Sequence, residues 1–210
     1  MTPIPFFTLF MIFIVVLWAR HKMIDKQTEE VEKNFWDKER DANATPAVDI
    51  SSLQFIKVPL DRFPLHSTDN PEINSIEDKI VELSTHRLLN LTGKTNTELK
   101  ATYGVPNFEE MTKIGEDFDA LTILLNDYAQ KLINAEMLTE TISVLEFAVA
   151  IKTDTAKTYK MLADCYSQKG NTQKLEILRD QVDKSNLVLK PAILEHIDKL
   201  ITPVTEDFTN

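Results

Sequence analysis

At 210 residues with only 4 glycines, the chain has room for one ordinary domain and an appendage, and it lacks the turn and bulge glycines that a β-sandwich or barrel consumes. Its 33 acidic against 23 basic residues leave a formal charge of −10, which removes the electrostatic footprint of a nucleic-acid binder. The scarce glycine, with 11 Phe and Leu-rich runs, makes an all-α fold the expectation, and the single cysteine, Cys165, which supplies neither a disulfide framework nor a cysteine-rich zinc site, suits a reducing compartment.

The chain opens on an apolar run from Pro3 to Ala19, PIPFFTLFMIFIVVLWA, with no charged residue and only Thr8 as a polar side chain. As a helix it would extend about 25 Å, close to the hydrocarbon thickness of a bilayer, which predicts a transmembrane anchor over residues 1–19. A cleaved secretory signal fits poorly, because no basic residue precedes the run and Leu17-Trp18-Ala19 lacks the small residues of a cleavage site. Trp18 belongs at the interface. Arg20, Lys22 and Lys26 follow at once, and this excess of cations places the body in the cytoplasm of a single-pass cell-membrane protein; export of the body is the competing topology.

Residues 20–45 are dense in good helix formers and predict a juxtamembrane helix, with Ile24, Val31 and Phe35 about a heptad apart. Phe35 and Trp36 are expected to pack back onto the body as a hydrophobic staple, with a membrane-surface contact or a partner site as the alternatives. Pro46 ends that helix. The stretch ISSLQFIKVPLDRFPL is apolar without helical period and carries Pro59 and Pro64, so residues 46–70 form an extended strap and linker laid over a helical core. Asn70 before Pro71 marks a helix start, and the stripe Ile73, Ile76, Ile80, Leu83 and Leu88 predicts about five turns closing near Gly93. Thr95 with Glu98 forms a capping box for a short helix through Tyr103, closed by Gly104 and Pro106. The next helix begins near Asn107, residues 71–202 make one helical domain, and 203–210 form a disordered tail.

The C-terminal half matches itself at an offset of 34 residues: Leu125, Ala129 and Leu132 correspond to Tyr159, Ala163 and Tyr166, and then to Ile193, Ile197 and Leu200 after Pro191. Gly170 stands at the turn of the second copy and Glu136 at that of the first. On these positions residues 119–201 resemble tetratricopeptide-repeat proteins over about two and a half units, the clearest at 156–186. The strings FWDKERDAN and DISSLQFIKVPLDRFP also resemble a group of small single-pass proteins of anaerobic Gram-positive bacteria, a likeness that implies no activity. The repeat resemblance implies an antiparallel helical-pair solenoid whose concave face holds a protein or peptide partner. On that face it places Asn126, Gln130, Lys157, Lys160, Asp164 and Gln168, with Lys157 and Lys160 suited to an acidic segment. The carboxylate clamp of chaperone-binding members is not matched, because Asn126 stands where a basic residue is required.

Known reaction motifs are missing from the sequence: no Walker A, G-x-G-x-x-G, G-x-S-x-G or H-E-x-x-H occurs. His21, His66, His86 and His196 lie at no ligand spacing, and the acidic cluster Glu109, Glu110, Glu116, Asp117 and Asp119 lacks the alternation and glycine of a calcium loop. Asn43-Ala44-Thr45 and Asn90-Leu91-Thr92 match the glycosylation acceptor pattern, which has no consequence in a cytoplasmic body. The expectation is a membrane-anchored, non-catalytic interaction module using no cofactor or metal. A membrane-attached enzyme or enzyme subunit with an unrecognised site, and an exported assembly factor, are the alternatives.

Overall fold

The computed structural model describes residues 4–202, so Pro3 and the expected tail at 203–210 lie outside the described residues. The chain is all-helical, with no strand among the described residues, and it divides into two units. One unit gathers the N-terminal 51 residues with 94–109; the other gathers 52–93 with the chain from Glu110 onward.

The first unit is organised by α1 (Ile4–Asn43), a single helix of 40 residues and about 60 Å. The predicted anchor and juxtamembrane helix are therefore one element. Nothing between Ala19 and Asn43 breaks a helix, since neither glycine nor proline occurs there and the polar part is rich in Glu and Lys. This helix is long and apolar enough to cross a membrane, and from Phe7 to Trp18 its large apolar side chains are 44–67% exposed, so no protein surface covers them. Phe35 and Trp36 stack edge to face at 5.3 Å and stay more than half exposed, in place of the burial expected of them.

The helix ends where Ala44 N–H bonds the Arg40 and Asp41 carbonyls. Its last turns pack against α3 (Asn96–Tyr103), which opens with the expected capping box: Thr95 Oγ1 accepts from Glu98 N–H, and the Glu98 carboxylate accepts from Thr95 N–H at 2.8 Å. Glu39 accepts from Lys100 Nζ at 2.6 Å and from Thr97 Oγ1 at 2.5 Å, while Ala42, Leu99 and Tyr103 are buried. Behind α3 the chain returns along residues 45–48: Val48 N–H bonds the Tyr103 carbonyl and Val105 N–H bonds the Thr45 carbonyl. Gly104, at φ 85° and ψ 149°, makes this approach possible, since a Cβ there would lie 2.1 Å from the Pro46 carbonyl oxygen. A one-turn 3-10 helix, Val105–Asn107, follows.

The α1–α3 contact carries a pH signature. The Lys100 ammonium, then the Thr97 hydroxyl, hold the Glu39 carboxyl below its ordinary 4.5. A depressed folded-state pKa means the stabilisation is complete above about pH 4.5 and is lost as pH falls through the lower folded value. The protection of α3 amides, taken relative to their intrinsic exchange rates, should therefore fall as pH drops below about 4.5, and Glu39→Gln should abolish that fall in protection.

The second unit begins with the strap. It lacks regular helix beyond one 3-10 turn at Leu60–Arg62 but bends at residues 51–53 and 65–66, so it is less extended than expected, and Phe63 is buried between the rings of Tyr128 and Phe147. α2 (Pro71–Ser84) starts at the predicted cap, with Asn70 Oδ1 accepting from Glu72 N–H at 3.0 Å. It stops well short of Gly93, because the Ser84 and Thr85 hydroxyls turn back onto the Val81 and Glu82 carbonyls and compete with the helical ladder. Leu88 is nevertheless fully buried, in the loop, where its carbonyl accepts from Ile56 N–H at 2.8 Å.

Five further helices complete the unit: α4 (Phe108–Asn134), whose first two residues belong to the first unit, α5 (Leu138–Ala150), α6 (Ala156–Gln168), α7 (Thr172–Asp183) and α8 (Lys190–Ile201). α2 and its loop run antiparallel along α4, tied by Lys131 to Glu72, Arg87 to Glu110 at 2.7 Å and His86 to Asp117 at 3.0 Å. α6 packs against α5, α7 and α8. At the 34-residue offset, burial is alike at two of the three matched positions, whereas Leu132 and Tyr166 are buried and Leu200 is half-buried. Leu125, Tyr159 and Ile193 are all buried, as are Ala129, Ala163 and Ile197.

The turns repeat as well. Glu136 (φ 59°) and Gly170 (φ 65°) take the same left-handed conformation, and the bonds Met137 N–H to Leu132 O and Asn171 N–H to Tyr166 O have the same length of 2.9 Å. A glutamate in that conformation is strained, so Glu136→Gly should stabilise the chain by about 0.5–1 kcal/mol in thermal unfolding.

Candidate functional site

α5, α6 and α7 leave a groove of about 1090 Å³ in the second unit. Its α6 side presents Tyr159, Leu162 and Tyr166; α5 contributes Glu146, Val149 and Ala150, and α7 contributes Lys174, Ile177, Leu178 and Gln181. The loops around Asn90–Gly93 and residues 184–188 complete it. Most of the lining surface is apolar, and Ile177 and Val188 stand 51% and 89% exposed on its edge.

Its polar groups are held in place by local bonds. The Glu146 carboxylate accepts from the Tyr166 hydroxyl at 2.7 Å and from Lys174 Nζ at 2.5 Å, and the ammonium lies 5.4 Å from the centre of the Tyr166 ring. The Tyr159 hydroxyl donates to the Thr153 carbonyl at 2.8 Å. Burial first, and the neighbouring carboxylates after it, push both phenols above their ordinary range, Glu146 acting on Tyr166 and Asp154 on Tyr159. Both therefore stay protonated donors. The mouth is shaped by Lys152, which sits at φ 58°; the Asn90 amide holds that turn by donating to the Ile151 carbonyl at 3.0 Å and the Lys152 carbonyl at 2.8 Å. Asn90 thus has an inward structural bond, whatever its acceptor-like tripeptide. Lys152 and Lys184 stand exposed at the rim beside Asp154.

The six residues placed on a concave face by the resemblance are not brought together there. Asn126 is withdrawn from any ligand. It is buried, its Nδ2 donates to the Thr122 carbonyl at 2.9 Å and its Oδ1 accepts from Thr158 Oγ1 at 2.8 Å, which pins α4 to α6. Gln130 is half-buried, with its amide 3.5 Å from Asn134 Oδ1. Asp164 lies 2.7 Å from His196 Nε2, and Lys160, after the larger effect of Lys199, helps to hold the Glu195 carboxyl low, so the face of α6 carrying both is turned toward α8. Lys157 and Gln168 are exposed.

Cys165 is buried in α6, and its thiol is pushed up to about 11 by burial and then by Asp164, which disfavours the thiolate. Within the acidic cluster, Glu110 pairs with Arg87, Asp117 pairs with His86 and Lys113, and Asp119 is raised by burial, then by Asp154 and Glu116. No three His, Cys, Asp or Glu side chains gather as a metal site among the described residues.

Sequence reasoning missed one buried polar centre. Glu77 is fully buried in α2, where its carboxylate accepts from the Tyr128 hydroxyl at 2.7 Å and from His66 N–H at 2.6 Å. Its signal was present: with Ile73 and Ile80, Glu77 completes the helix's inward stripe. Comparisons with models of known protein families, with curated proteins and with solved structures give no match.

The register that pairs Ala129 with Ala163 has a direct test in packing. Ala163 is fully buried on α6, so Ala163→Leu should cost about 1–3 kcal/mol by overpacking. Gln168→Leu, on the exposed end of the same helix, should stay within about 0.5 kcal/mol. Thermal unfolding of the detergent-solubilised chain distinguishes the two.

Proposed function

We propose that this chain is a membrane-anchored interaction module: α1 holds it in the cell membrane, and helical pairs of tetratricopeptide type present a groove to a peptide segment of a partner protein. The observation that carries this reading is the groove itself, with Tyr159, Leu162 and Tyr166 on α6, an exposed apolar edge at Ile177 and Val188, and cations at Lys152 and Lys184 on its rim. Apolar side chains flanked by carboxylates match that arrangement, so the partner segment is apolar with acidic flanks. The repeated turns at Glu136 and Gly170 support the tetratricopeptide kinship, and the binding side shifts from the α6 face opposite α8 to the side between α5 and α7.

The body lies in the cytoplasm in this reading, on the strength of Arg20, Lys22 and Lys26 directly after the apolar run. A cysteine introduced at exposed Ser67 should resist an impermeant thiol reagent in intact cells, and ready labelling would reverse the topology. For the groove, the test is mass spectrometry of proteins co-purified from detergent extracts. Ile177→Asp should lose a partner that the wild-type chain retains, whereas Lys157→Glu with Lys160→Glu should keep it. The opposite pattern would return binding to the α6 face, and retention by both variants would remove the module reading.

A further inference from the structure

We propose that α1 pairs in parallel with α1 of a second copy of this chain, along one heptad seam that leaves the membrane at Leu17 and continues through His21, Ile24, Thr28, Val31 and Phe35. The seam is visible beyond the apolar run, where polar residues make a stripe readable. Between Arg20 and Asn43 the large apolar side chains are Met23, Ile24, Val31, Phe35 and Trp36, all 49–69% exposed. Ile24, Val31 and Phe35 fall at core positions of one heptad register, the spacing that lays a stripe along a supercoiled partner. Thr28 takes the core position between Ile24 and Val31, and its hydroxyl already donates to the Ile24 carbonyl at 2.9 Å, so burial there strands no donor.

Two further observations select a second copy as the occupant. Lipid is excluded by distance: Val31 and Phe35 lie about 17 and 23 Å beyond Arg20 along the axis, past the headgroup layer of a bilayer that α1 crosses upright. Charge then favours self-pairing. Copies anchored in one membrane share a direction, so only parallel pairing is open, and it sets the flanking Arg20 of one helix against Asp25 of the other. Glu32, the next flanking acid, accepts from Trp36 Nε1 at 3.4 Å within its own helix; the one after it, Glu39, is engaged by Lys100 and Thr97, Lys38 takes the core position after Phe35 and Ala42 is buried, so the seam stops where α3 begins to cover α1.

The parallel direction rests on the membrane-anchor reading, and the test separates the two. Single cysteines are introduced at Ile24, Glu30, Val31 and Lys33 of the full-length chain, and native membranes are treated with an oxidant. The native Cys165 is buried, so the unmodified chain serves as the background control. Disulfide-linked dimers are expected from Ile24→Cys and Val31→Cys, and none from Glu30→Cys or Lys33→Cys. Adding Asp25→Arg to Val31→Cys should lose the dimer, and adding Arg20→Asp as well should restore it.

Equal crosslinking at all four positions, no self-dimer at Ile24 and Val31, or adducts with a different protein instead, would each overturn the seam. Alkaline-carbonate extraction of the same membranes tells which reading has failed: a chain that stays in the pellet without crosslinking sinks the seam alone, and one released into the supernatant sinks the anchor.

Discussion

Replacing Gly104 with alanine should detach α3 from α1. The backbone at φ 85° and ψ 149° is open almost only to glycine, and the added Cβ would meet the Pro46 carbonyl oxygen at 2.1 Å, where backbone rather than a flexible side chain must yield. A cost of about 3 kcal/mol is expected at this joint, equivalent to roughly a hundredfold faster amide exchange in α3. Gly93 provides the control. Its φ is also positive, at 80°, but a Cβ there would meet nothing within 4 Å, so Gly93→Ala should cost only about 1 kcal/mol. Equal effects from the two substitutions would refute the close approach of residues 46 and 104.

The second large effect is expected at Glu77. Its carboxylate has no exposed surface and serves the Tyr128 hydroxyl and the His66 N–H together. Glu77→Ala leaves both donors without that acceptor and opens a void between α2 and α4, a combined cost of about 3–5 kcal/mol. Tyr128→Phe deletes one charge-assisted bond and keeps the ring beside Phe63, so about 1.5–3 kcal/mol is expected. Thermal unfolding of the full-length chain in mild detergent should rank the two in that order. A Glu77→Ala chain as stable as wild type would mean that the carboxylate is not buried as described.

The elements legible in the sequence were those set by neighbours a few residues away. The Asn70 cap and the Thr95–Glu98 box declared themselves in composition and spacing, as did the end of regular helix before Pro46. What failed depended on competition or on distant partners. α2 ends at Ser84 because two hydroxyls prefer carbonyls one turn back, and no apolar stripe records that. The repeat resemblance placed Asn126 on a ligand face, and only the approach of α4 to α6 reveals Thr158 as its partner. The groove is assembled from three helices and two loops, none of which carries a distinctive local pattern. Glu77 lay between these cases: a carboxylate on an inward stripe was readable, but its hydroxyl partner sits 51 residues away.

The first unit is discontinuous, and that governs how the chain can be shortened. α3 enters it from residues 94–109, yet its partners Glu39 and Ala42 belong to the helix that carries the apolar run. A soluble fragment cut at Ser52, where the second unit begins, would strip Lys100 and Thr97 of their acceptor and uncover the Leu99 and Tyr103 face. A fragment beginning near Lys22 sheds the apolar run and keeps the turns of α1 that α3 grips. The economical truncation boundary therefore falls inside a helix, not at the border between the units.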